Sequence, residues 1–385
     1  MAVKNRFAEW MPEITAWRRD LHAHPEILFD THRTAAFVAG KLRGFGCDEV
    51  IEGLGRTGVV GIIEGRAPGR TIGLRADMDA LPIAEATGLP HASTVPGAMH
   101  ACGHDGHTAM LLGAARYLAE TRAFAGRVAV IFQPAEEGGG GGREMCADGL
   151  MDRWQIEEVY GMHNWPGLPL GSFAIRPGPF FAATDVFEID VEGRGGHAAK
   201  PHEVIDPIVT AAQIVTALQS IAARNADPVG QVVVSVTAIE SSSDAYNVIP
   251  ARVAMKGTVR SLTPEMRDMA ERRLGEIVRA TGDAFGARAD LRYERNYPVM
   301  VNAPAETLHA AEAAAAVAGT CAEADLIMGG EDFAYMLEER PGAYILIGNG
   351  DTAAVHHPEY DFDDAAIPAG CSYWAEIVER RLPLA

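Results

Sequence analysis

Two hydrophobic patterns alternate along the first part of the chain. Apolar residues spaced three and four positions apart predict helices at residues 10–22, 34–45 and 107–120. Runs that are apolar at nearly every position predict strands at residues 58–65, 71–81 and 127–137. Strands of that kind are buried on both faces, and their alternation with helices is typical of an α/β domain whose sheet is covered by helices.

The pattern changes near Ala183, where apolar and polar residues begin to alternate as in a half-exposed strand. The elements predicted from there are a strand, a helix, two strands, a helix and a strand, at residues 184–195, 206–223, 231–241, 251–261, 264–286 and 287–297. This β-α-β-β-α-β order is that of a small ferredoxin-like domain. Because the α/β pattern resumes after Pro298, we predict a larger domain of residues 1–182 and 297–385, with a smaller domain of residues 183–296 inserted into it.

Composition narrows the class of protein and its partners. The chain has 385 residues and a net charge of −19, and so acidic a protein is not expected to bind nucleic acid or an anionic membrane surface. No apolar run is long enough to span a bilayer, and the N-terminal segment lacks the apolar core of a secretion signal. The five scattered cysteines do not indicate a disulfide framework, so we expect a protein of the reducing cytoplasm.

The stretch MHACGHDGH, residues 99–107, concentrates side chains that bind metals. Cys102 and His104 are two positions apart, which puts both on one face of an extended segment, and thiolate and imidazole are good ligands for zinc-type ions. A buried structural thiol and a nucleophilic Cys102 remain alternatives. Asp105 lies where a carboxylate either caps the following helix or orients a ligand histidine. We expect His107 on a solvated face at the helix start.

Acidic residues end two of the predicted strands. Asp77 and Asp79 lie at the end of one, and two acids on one face repel each other unless a cation or a shared proton compensates. Ordinary loop acids are the alternative. Glu136 and Glu137 end the other strand, where adjacent side chains point to opposite sides. One of them is then expected to bind a metal while the other faces a bound water as general base, the division that metal-assisted hydrolysis needs.

The isolated histidines elsewhere are informative only in combination with the other candidates. Two neighbouring metal ions would be bound by one cysteine, one or two glutamates and three histidines. The histidines would include His163 and one of His356 and His357. In the inserted domain three polar residues stand out, namely His197, Asn247 and Arg260. From the residues alone, each of these three is best explained as part of a surface loop or an edge strand.

Seven motifs occur in an order that resembles a known family: HACGHDGHTA, QPAEEGGGG, GMHNWPG, GRGGHAAKPH, NVIP, MGGEDFAYML and HHPEYDF. The family is that of the metal-dependent amidohydrolases, which includes hippurate hydrolase, N-acyl-amino-acid aminoacylases and the plant indole-3-acetyl-amino-acid hydrolases. The resemblance covers nearly the whole chain and is more specific for the family than for the substrate. It implies a catalytic, metal-binding α/β domain with a mixed sheet, and an inserted domain that acts as a lid and in dimerisation.

The resemblance also implies an activity: cleavage of the amide bond of N-acyl amino acids by water that two divalent ions activate. Manganese or zinc is expected, and nickel or cobalt would also suit such a site. Matched by motif, the metal ligands are Cys102, His104, Glu137, His163 and His356. Cys102 matches the bridging ligand and Glu136 the general base. His356 is preferred to His357 because the family pattern is histidine, any residue, proline, and Pro358 follows.

The same resemblance gives roles to the remaining candidates. Asp79 is implied to lie behind the metal ligands, and Asp105 is kept as an acid that orients one of them. His197 is implied to stabilise the oxyanion, and Asn247 and Arg260 to bind the carboxylate of a small-molecule substrate. Because the histidine reaches a neighbouring subunit's site in dimers of this family, we expect a homodimer or a dimer of dimers formed through the inserted domain.

Three other functions remain open at this point. A dipeptidase or aminopeptidase of the same family would need an acidic anchor for a free amino group, which the sequence does not reveal. A hydrolase with a nucleophilic Cys102 would leave Glu136 and Glu137 without a role and would survive EDTA. A non-catalytic binding or assembly protein with this fold would have no need for the complete set of ligands and base.

Overall fold

The computed structural model describes residues 3–384, and within them the chain forms ten α-helices and sixteen strands. The helices are α1 Asn5–Ala23, α2 His32–Phe45, α3 His104–Thr121, α4 Gly141–Ala147, α5 Leu150–Arg153, α6 Pro207–Ser220, α7 Pro264–Phe285, α8 Pro304–Ala318, α9 Ala334–Glu339 and α10 Ile367–Arg381. The strands are β1 Glu49–Leu54, β2 Gly58–Glu64, β3 Ala67–Asp77, β4 Ala125–Gln133, β5 Ile156–Trp165, β6 Phe173–Ile175, β7 Gly178–Phe181, β8 Ala183–Glu192, β9 Gly196–His197, β10 Val232–Ser241, β11 Val248–Ile249, β12 Arg252–Ser261, β13 Arg288–Arg295, β14 Met300–Asn302, β15 Ala322–Glu323 and β16 Gly342–Gly348.

Helix ends follow local sequence signals. Thr263 caps α7 by accepting a hydrogen bond from the amide of Met266, and Pro264 occupies the first helical position, where its missing N–H costs nothing. Gly286 ends the same helix with φ of +73°, a conformation that glycine adopts without strain. Helix α6 begins in the same way after Asp206. None of the helices in the described range combines the length and the apolar character that crossing a membrane requires.

The first compact unit comprises Met1–Gly178, Val301–Asp325 and Asp332–Ala385. It contains an eight-stranded sheet in the order β1-β2-β4-β3-β5-β16-β6-β15. The central strands β4, β3, β5 and β16 run parallel to one another, whereas β2 is antiparallel to both of its neighbours and β16 is antiparallel to β6. The predicted α/β class with a mixed sheet is therefore confirmed.

Helix α3 is the centre of the core of this unit. It packs against α1, α2, α10 and β3, and 14 of its 18 residues are buried. Because it is surrounded on nearly all sides, its sequence is apolar well beyond a single stripe. Leu111 and Leu112 of this helix join one continuous cluster with Leu74 of β3, Leu42 of α2 and Trp374 of α10. The helix that carries His104 is thus held rigidly against the sheet.

The second compact unit comprises Pro179–Met300 and Leu326–Glu331. Its main elements follow the predicted β-α-β-β-α-β order, with an antiparallel sheet in the order β10-β12-β8-β13 and with α6 and α7 packed on each other. Strand β8 alternates between buried and more exposed positions, and its buried Phe187 and Ile189 pack with Leu218 and Leu274 of the helices. The sequence-based boundaries are 183–296, and the role of this part of the chain as a lid and in dimerisation stays a prediction.

Candidate metal centre

Three adjacent parallel strands, β4, β3 and β5, end at the same edge of the sheet of the first unit. The register of β3 against β5 pairs Arg75 with Gly161, and Asp77 and His163 each lie two residues further along their strands. The turn that follows β4 carries Glu136 and Glu137. Since the carboxyl ends of parallel strands are where α/β sheets form their sites, the topology brings these four acidic and imidazole side chains to one place.

The segment before α3 adds a thiol and a second imidazole. Cys102 and His104 flank Gly103, the N-cap of α3, whose φ is +86°. A Cβ atom at Gly103 would lie 2.3 Å from the side chain of Asn164 and 2.4 Å from that of Tyr360, so this position has no room for a side chain. Cys102 and His104 therefore share a site because of a tight glycine turn, and not because of the extended spacing from which they were predicted.

The donor atoms of the predicted ligands lie together. Sγ of Cys102 is 3.4 Å from Nε2 of His163. Oε1 of Glu137 is 3.8 Å from Nε2 of His104 and 3.4 Å from Nε2 of His356. Among the groups of three ligand atoms that lie within 4.8 Å of one another in the described part of the chain, two contain Cys102, with His104 and His163 in one group and Glu137 and His356 in the other. The structure thus brings all five predicted ligands together, with the thiol common to both groups.

A hydrogen bond determines which nitrogen of His163 carries the proton. Its Nδ1 lies 2.5 Å from the backbone oxygen of Asn164. Because a carbonyl oxygen only accepts, Nδ1 carries the proton and Nε2 keeps its lone pair. Burial, reinforced by the neighbouring His107, holds the pKa of His163 well below its usual value. His163 is therefore a neutral imidazole whose Nε2 is unprotonated and keeps its lone pair, the form that binds a metal ion.

The charges around His104 are those of a cation site. Both ring nitrogens of His104 and Oε1 of Glu137 are buried without a hydrogen-bond partner. Burial by itself would lower the pKa of His104, but Asp77, together with Asp79 and Glu137, raises it to about 10. In the absence of a metal ion, a proton on the ring of His104 therefore compensates the negative charge of the surrounding carboxylates. A bound cation would compensate the same charge. With the thiol and the other imidazoles, this donor set fits divalent ions of the zinc and manganese class.

The alternative of a nucleophilic Cys102 finds no support in the surroundings of this thiol. Burial, and next the carboxylates of Glu137 and Glu136, raise the pKa of Cys102 well above its usual value. Reactive cysteines have a lowered pKa, because the thiolate is the nucleophile. A bound divalent cation would instead favour the thiolate form of Cys102, since a thiol that coordinates a metal ion is deprotonated.

Asp79 fixes the turn that carries both glutamates. Its Oδ1 accepts a hydrogen bond of 2.9 Å from the amide of Glu136, and its Oδ2 accepts one of 3.1 Å from the amide of Glu137. Oδ1 also lies 3.5 Å from Nδ1 of His104. Burial raises the pKa of Asp79 although His104 opposes the change. Asp79 thus holds the backbone of both glutamates and also faces the ring of His104, and its role behind the metal ligands stays a prediction.

The prediction that Glu136 and Glu137 extend a strand is wrong. Strand β4 ends at Gln133, and both glutamates lie in a turn after Ala135, whose φ is +54°. Their side chains do not point to opposite sides, because together with His104 they form a group whose ligand atoms lie within 4.8 Å of one another. The difference between the two glutamates comes from their neighbours and not from strand alternation.

The loop after β16 places His356, and not His357, in the cluster. His356 has φ of +66°, and its amide donates a hydrogen bond of 2.7 Å to the oxygen of Ala101. Its side chain is 53% exposed, so it closes the cluster on the solvent side. Nδ1 of His357 instead accepts a bond from the amide of Glu359, and within residues 3–384 this ring belongs to no group of potential metal ligands.

His107 is buried, and the prediction of a solvated position for it is wrong. The helix start lies inside the protein because other elements surround α3. Nδ1 of His107 is 2.6 Å from Oδ1 of Asp77, and Nε2 accepts a hydrogen bond of 2.9 Å from the amide of Asn164. Since that amide only donates, the proton of His107 is on Nδ1. His107 therefore links the end of β3 to the end of β5.

Asp105 does not cap α3, contrary to one of its two predicted roles. The N-cap is Gly103, without a side-chain cap hydrogen bond. The carboxylate of Asp105 is buried and accepts hydrogen bonds from His22, at 2.9 Å, and from Arg18, at 3.4 Å, both on α1. In the described residues it has no hydrogen bond with a predicted metal ligand. Its connection to the ligands is the helix that it shares with His104.

Several buried polar residues around the cluster have no role that the sequence patterns predict. Arg75 is fully buried and pairs with Asp77 at 2.7 Å and with Asp332 at 3.0 Å. Asp332 also accepts a hydrogen bond of 2.7 Å from Gln133. Asn164, next to His163, contacts several segments at once. The available signals were the position of Asp332 in MGGEDF and of Asn164 in GMHNWPG, two of the motifs that carry the family resemblance.

In the second unit, His197 and Asn247 lie side by side on the surface. His197 on β9 pairs with Val248 on β11, and the amide of Ala198 donates a hydrogen bond of 3.0 Å to the oxygen of Asn247. Nδ1 of His197 accepts a hydrogen bond of 3.1 Å from the amide of Ala199. The proton of the neutral ring is therefore on Nε2, which is free to donate to a ligand.

Arg260 lies near the end of β12 and is half-buried. Its Nη1 donates to the oxygen of Val259 at 3.0 Å and to the hydroxyl of Thr258. Burial lowers the pKa of this guanidinium without removing its charge at neutral pH. Because both partners are neutral oxygens, the positive charge remains available for an anion.

Comparisons with known proteins cover most of the chain. A family model described as peptidase family M20/M25/M40 matches residues 73–380. The chain is 40% identical to N-acetylcysteine deacetylase of Bacillus subtilis over 365 residues, 94% of each chain. It is 39% identical to hippurate hydrolase of Campylobacter jejuni over 368 residues, 95% of each chain. A solved structure from Bacillus subtilis, described as a dinuclear metal binding peptidase from the M20 family, matches with a TM-score of 0.86 and 36% identity over 97% of this chain and 99% of that chain.

The family match spans every residue of the cluster, from Asp77 to His356. The relatives match over nearly their full lengths, so the likeness includes both compact units. The sequence-based expectation of a metal-dependent amidohydrolase is confirmed. The chain belongs to peptidase family M20/M25/M40, and it is a metal-dependent hydrolase of amide bonds.

Proposed function

We propose that this protein hydrolyses the amide bond of N-acyl amino acids and releases a carboxylic acid and a free amino acid. The observation that carries the proposal is the cluster of five ligand side chains with Glu136 beside it. Two relatives bear names that refer to hippurate and to N-acetylcysteine, and both compounds are N-acyl amino acids. An N-acyl amino acid also carries a carboxylate beside its amide bond, and a cationic residue such as Arg260 would bind that carboxylate.

The five ligands would hold two divalent ions, with Cys102 bridging because it belongs to both groups of donor atoms. Manganese and zinc suit these ligands best, and nickel and cobalt are accepted by the same donor types. When bound, such a pair supplies Lewis acidity, which polarises the carbonyl of the substrate and makes water acidic near neutral pH. Hydrogen bonding of His163 through Nδ1 leaves Nε2 ready for this role.

Glu136 is the general base of the proposed reaction. It accepts the proton that water gives up as its oxygen attacks the acyl carbon, and it passes this proton to the amine nitrogen as the C–N bond breaks. Asp79 holds the backbone amide of Glu136 at 2.9 Å and so keeps the carboxylate beside the ligands. Glu137 cannot take this role, since its Oε1 faces His104 and His356 inside the cluster.

Three residues of the second unit complete the proposal. Nε2–H of His197 donates to the carbonyl oxygen as negative charge develops on it. Arg260 binds the carboxylate of the amino acid, and the exposed amide of Asn247 adds a hydrogen bond. These roles rest on the family resemblance and on the free donor groups that each side chain presents.

We also propose that the chain forms a homodimer through the second unit. Strand β10 is an edge strand, and its Val233 and Ile239 are exposed, as are Ile208 and Val209 of α6. An exposed apolar edge strand is a surface that proteins normally cover. Sedimentation of an Ile239→Lys variant should show monomer, whereas Glu294→Lys on the opposite edge strand should leave the dimer intact. A monomeric wild-type protein at micromolar concentration would refute the dimer.

The substrate class is tested with the manganese-loaded protein and a panel of N-acetyl, N-benzoyl and indole-acetyl amino acids, each with an EDTA control. We expect turnover of at least one series and its loss with EDTA. Dipeptides with a free amino group test the peptidase alternative, and turnover of these alone would replace the proposal. Activity that survives EDTA would instead indicate the cysteine hydrolase.

The five free cysteines agree with a reducing compartment, and we propose the cytoplasm as the location.

A further inference from the structure

Asn164 contacts the segments that carry four of the five proposed metal ligands, namely the helix start with Cys102 and His104, the strand of His163 and the loop of His356. Its side-chain Nδ2 donates a hydrogen bond of 2.7 Å to the backbone oxygen of Cys102. Its backbone oxygen accepts the Nδ1 proton of His163 at 2.5 Å, and its amide donates to His107, which lies on the same helix as His104. Its Oδ1 accepts a hydrogen bond of 2.8 Å from the hydroxyl of Tyr360, in the loop that contains His356.

The orientation of this side chain is uniquely determined. The carbonyl of Cys102 only accepts and Nε2 of His107 has a lone pair, so the amide nitrogen must face both of them and the amide oxygen must face Tyr360. Asn164 and Tyr360 are both fully buried, so their hydrogen bonds are shielded from bulk water. A carboxylate of the same shape would satisfy Tyr360 but would repel the oxygen of Cys102.

The packing at Gly103 shows how closely this side chain supports the turn between two proposed ligands. A Cβ atom at Gly103 would lie 2.3 Å from Nδ2 of Asn164 and 2.4 Å from the hydroxyl of Tyr360. The amide of Asn164 therefore contacts the backbone of the turn directly, and a shift of this amide would displace Cys102.

We propose that Asn164 is a positioning residue that sets the place of the Cys102 thiolate relative to His163 and His356, and thereby the affinity of the site for its metal ions. The inference rests on the ligand assignment of the proposed function. It goes beyond that assignment by naming a residue that binds no metal and no substrate, yet fixes the spacing of those that do. Partners behind metal ligands commonly change metal affinity by about 10–100-fold when they are replaced.

The experiment compares Asn164→Asp with the matched control Asn302→Asp. Asn302 is also fully buried in the first unit, and it donates hydrogen bonds to the oxygens of Arg176 and Tyr344 and accepts one from the amide of Tyr344. Each full-length variant is checked by circular dichroism and thermal unfolding. Affinity for Zn²⁺ and Mn²⁺ is measured by competition with a chelating dye, and the cobalt-loaded forms are examined for the thiolate-to-cobalt absorption band.

We expect Asn164→Asp to bind metal about 10–100-fold more weakly and to lose or shift the cobalt band while it stays folded. Asn302→Asp should lose thermal stability but keep wild-type metal affinity and the wild-type band. A folded Asn164→Asp with wild-type affinity and band would overturn the inference. If Asn164→Asp does not fold, Tyr360→Phe decides, since it removes only one hydroxyl from Asn164: several-fold weaker binding supports the inference, and unchanged binding overturns it.

The wild-type protein and Cys102→Ser separate this inference from the proposed function. The wild-type protein should show the cobalt band, and Cys102→Ser should lack it. If the wild-type protein shows no band, the ligand assignment fails and this inference fails with it. If the wild-type protein shows the band and Asn164→Asp does not change it, the ligand assignment is retained and only the positioning role of Asn164 is refuted.

Discussion

The two compact units present their proposed functional residues in opposite ways. In the first unit Cys102, His104 and His163 are buried, and hydrogen bonds through Asn164 connect the segments of Cys102 and His163. In the second unit His197 and Asn247 are exposed on a two-stranded ribbon, and their side chains leave donor groups free. A metal site needs its ligands at fixed distances before the ion arrives, whereas groups that recognise a substrate act only when the substrate is present.

This contrast separates two kinds of substitution effect. Changes in the buried cluster should affect metal binding, stability and the chemical step, because its members depend on one another. Changes in the second unit should affect substrate binding and turnover but leave metal content and stability nearly unchanged. The predictions below test this separation.

The largest effect is expected from the two adjacent glutamates. Glu136→Gln should lower kcat by about 10²–10⁴-fold, because it removes the general base, while metal content stays at the wild-type level. Glu137→Gln serves as the matched comparison and should lose both activity and bound metal. Kinetics together with elemental analysis of the purified variants measure both quantities. Full activity of Glu136→Gln would exclude its proposed role.

A smaller loss is expected from Arg260→Ala in the second unit. Losing a charge-assisted hydrogen bond to the substrate carboxylate should lower kcat/KM by about 10–100-fold. Metal content and melting temperature should not change. Arg252→Ala is the control, since Arg252 lies on the same strand but is exposed and pairs with Asp190. Equal losses in both variants would mean that the charge of the strand matters, and not a specific contact.

A mixture of two inactive variants tests whether His197 serves the neighbouring subunit. His197→Ala and Glu136→Gln are unfolded together and refolded, so that mixed dimers form. If His197 acts across the dimer, one site in each mixed dimer is complete, and about a quarter of wild-type activity should return. If His197 acts within its own subunit, the mixture stays inactive.

The pH dependence of stability should distinguish the metal-free from the metal-loaded protein. The pKa of His104 in the metal-free protein is about 10, above the usual value of about 6.5. Its stabilising contribution is therefore complete below about pH 6.5 and is lost as the pH rises through about 10. A metal ion replaces this proton, so the loaded protein should not show the loss.

Melting temperatures of EDTA-treated and manganese-loaded samples between pH 7 and pH 10 measure this difference, which we expect to be roughly a few degrees. His22, whose pKa is raised to about 9, contributes to both forms, so only the difference between the two curves is informative. His104→Gln should remove that difference. Parallel curves for the two wild-type forms would contradict the assignment of His104 to the metal site.

Sequence patterns located the elements well and the neighbours of the site poorly. Apolar runs and helical periodicity predicted β2, β3 and α3 within a few residues. These elements bury whole strands or helix faces, and such burial requires apolar residues at regular positions along one segment. The same patterns extended β4 to Glu137, although the chain turns at Ala135 with positive φ. His107 was misplaced because the elements that cover α3 come from distant parts of the chain.

The sequence by itself determined the α/β class with its mixed sheet, the family and the residue types of the cluster. The motifs and their order carry this information. Each motif contains a ligand together with residues that its local backbone conformation requires, such as Gly103 after Cys102. Only the tertiary structure decided that Cys102 belongs to both donor groups, that His356 and not His357 faces Glu137, and that Asn164 connects the segments of Cys102, His163 and Tyr360. These facts depend on strand register and on contacts between segments that lie far apart in sequence, and no local pattern encodes them.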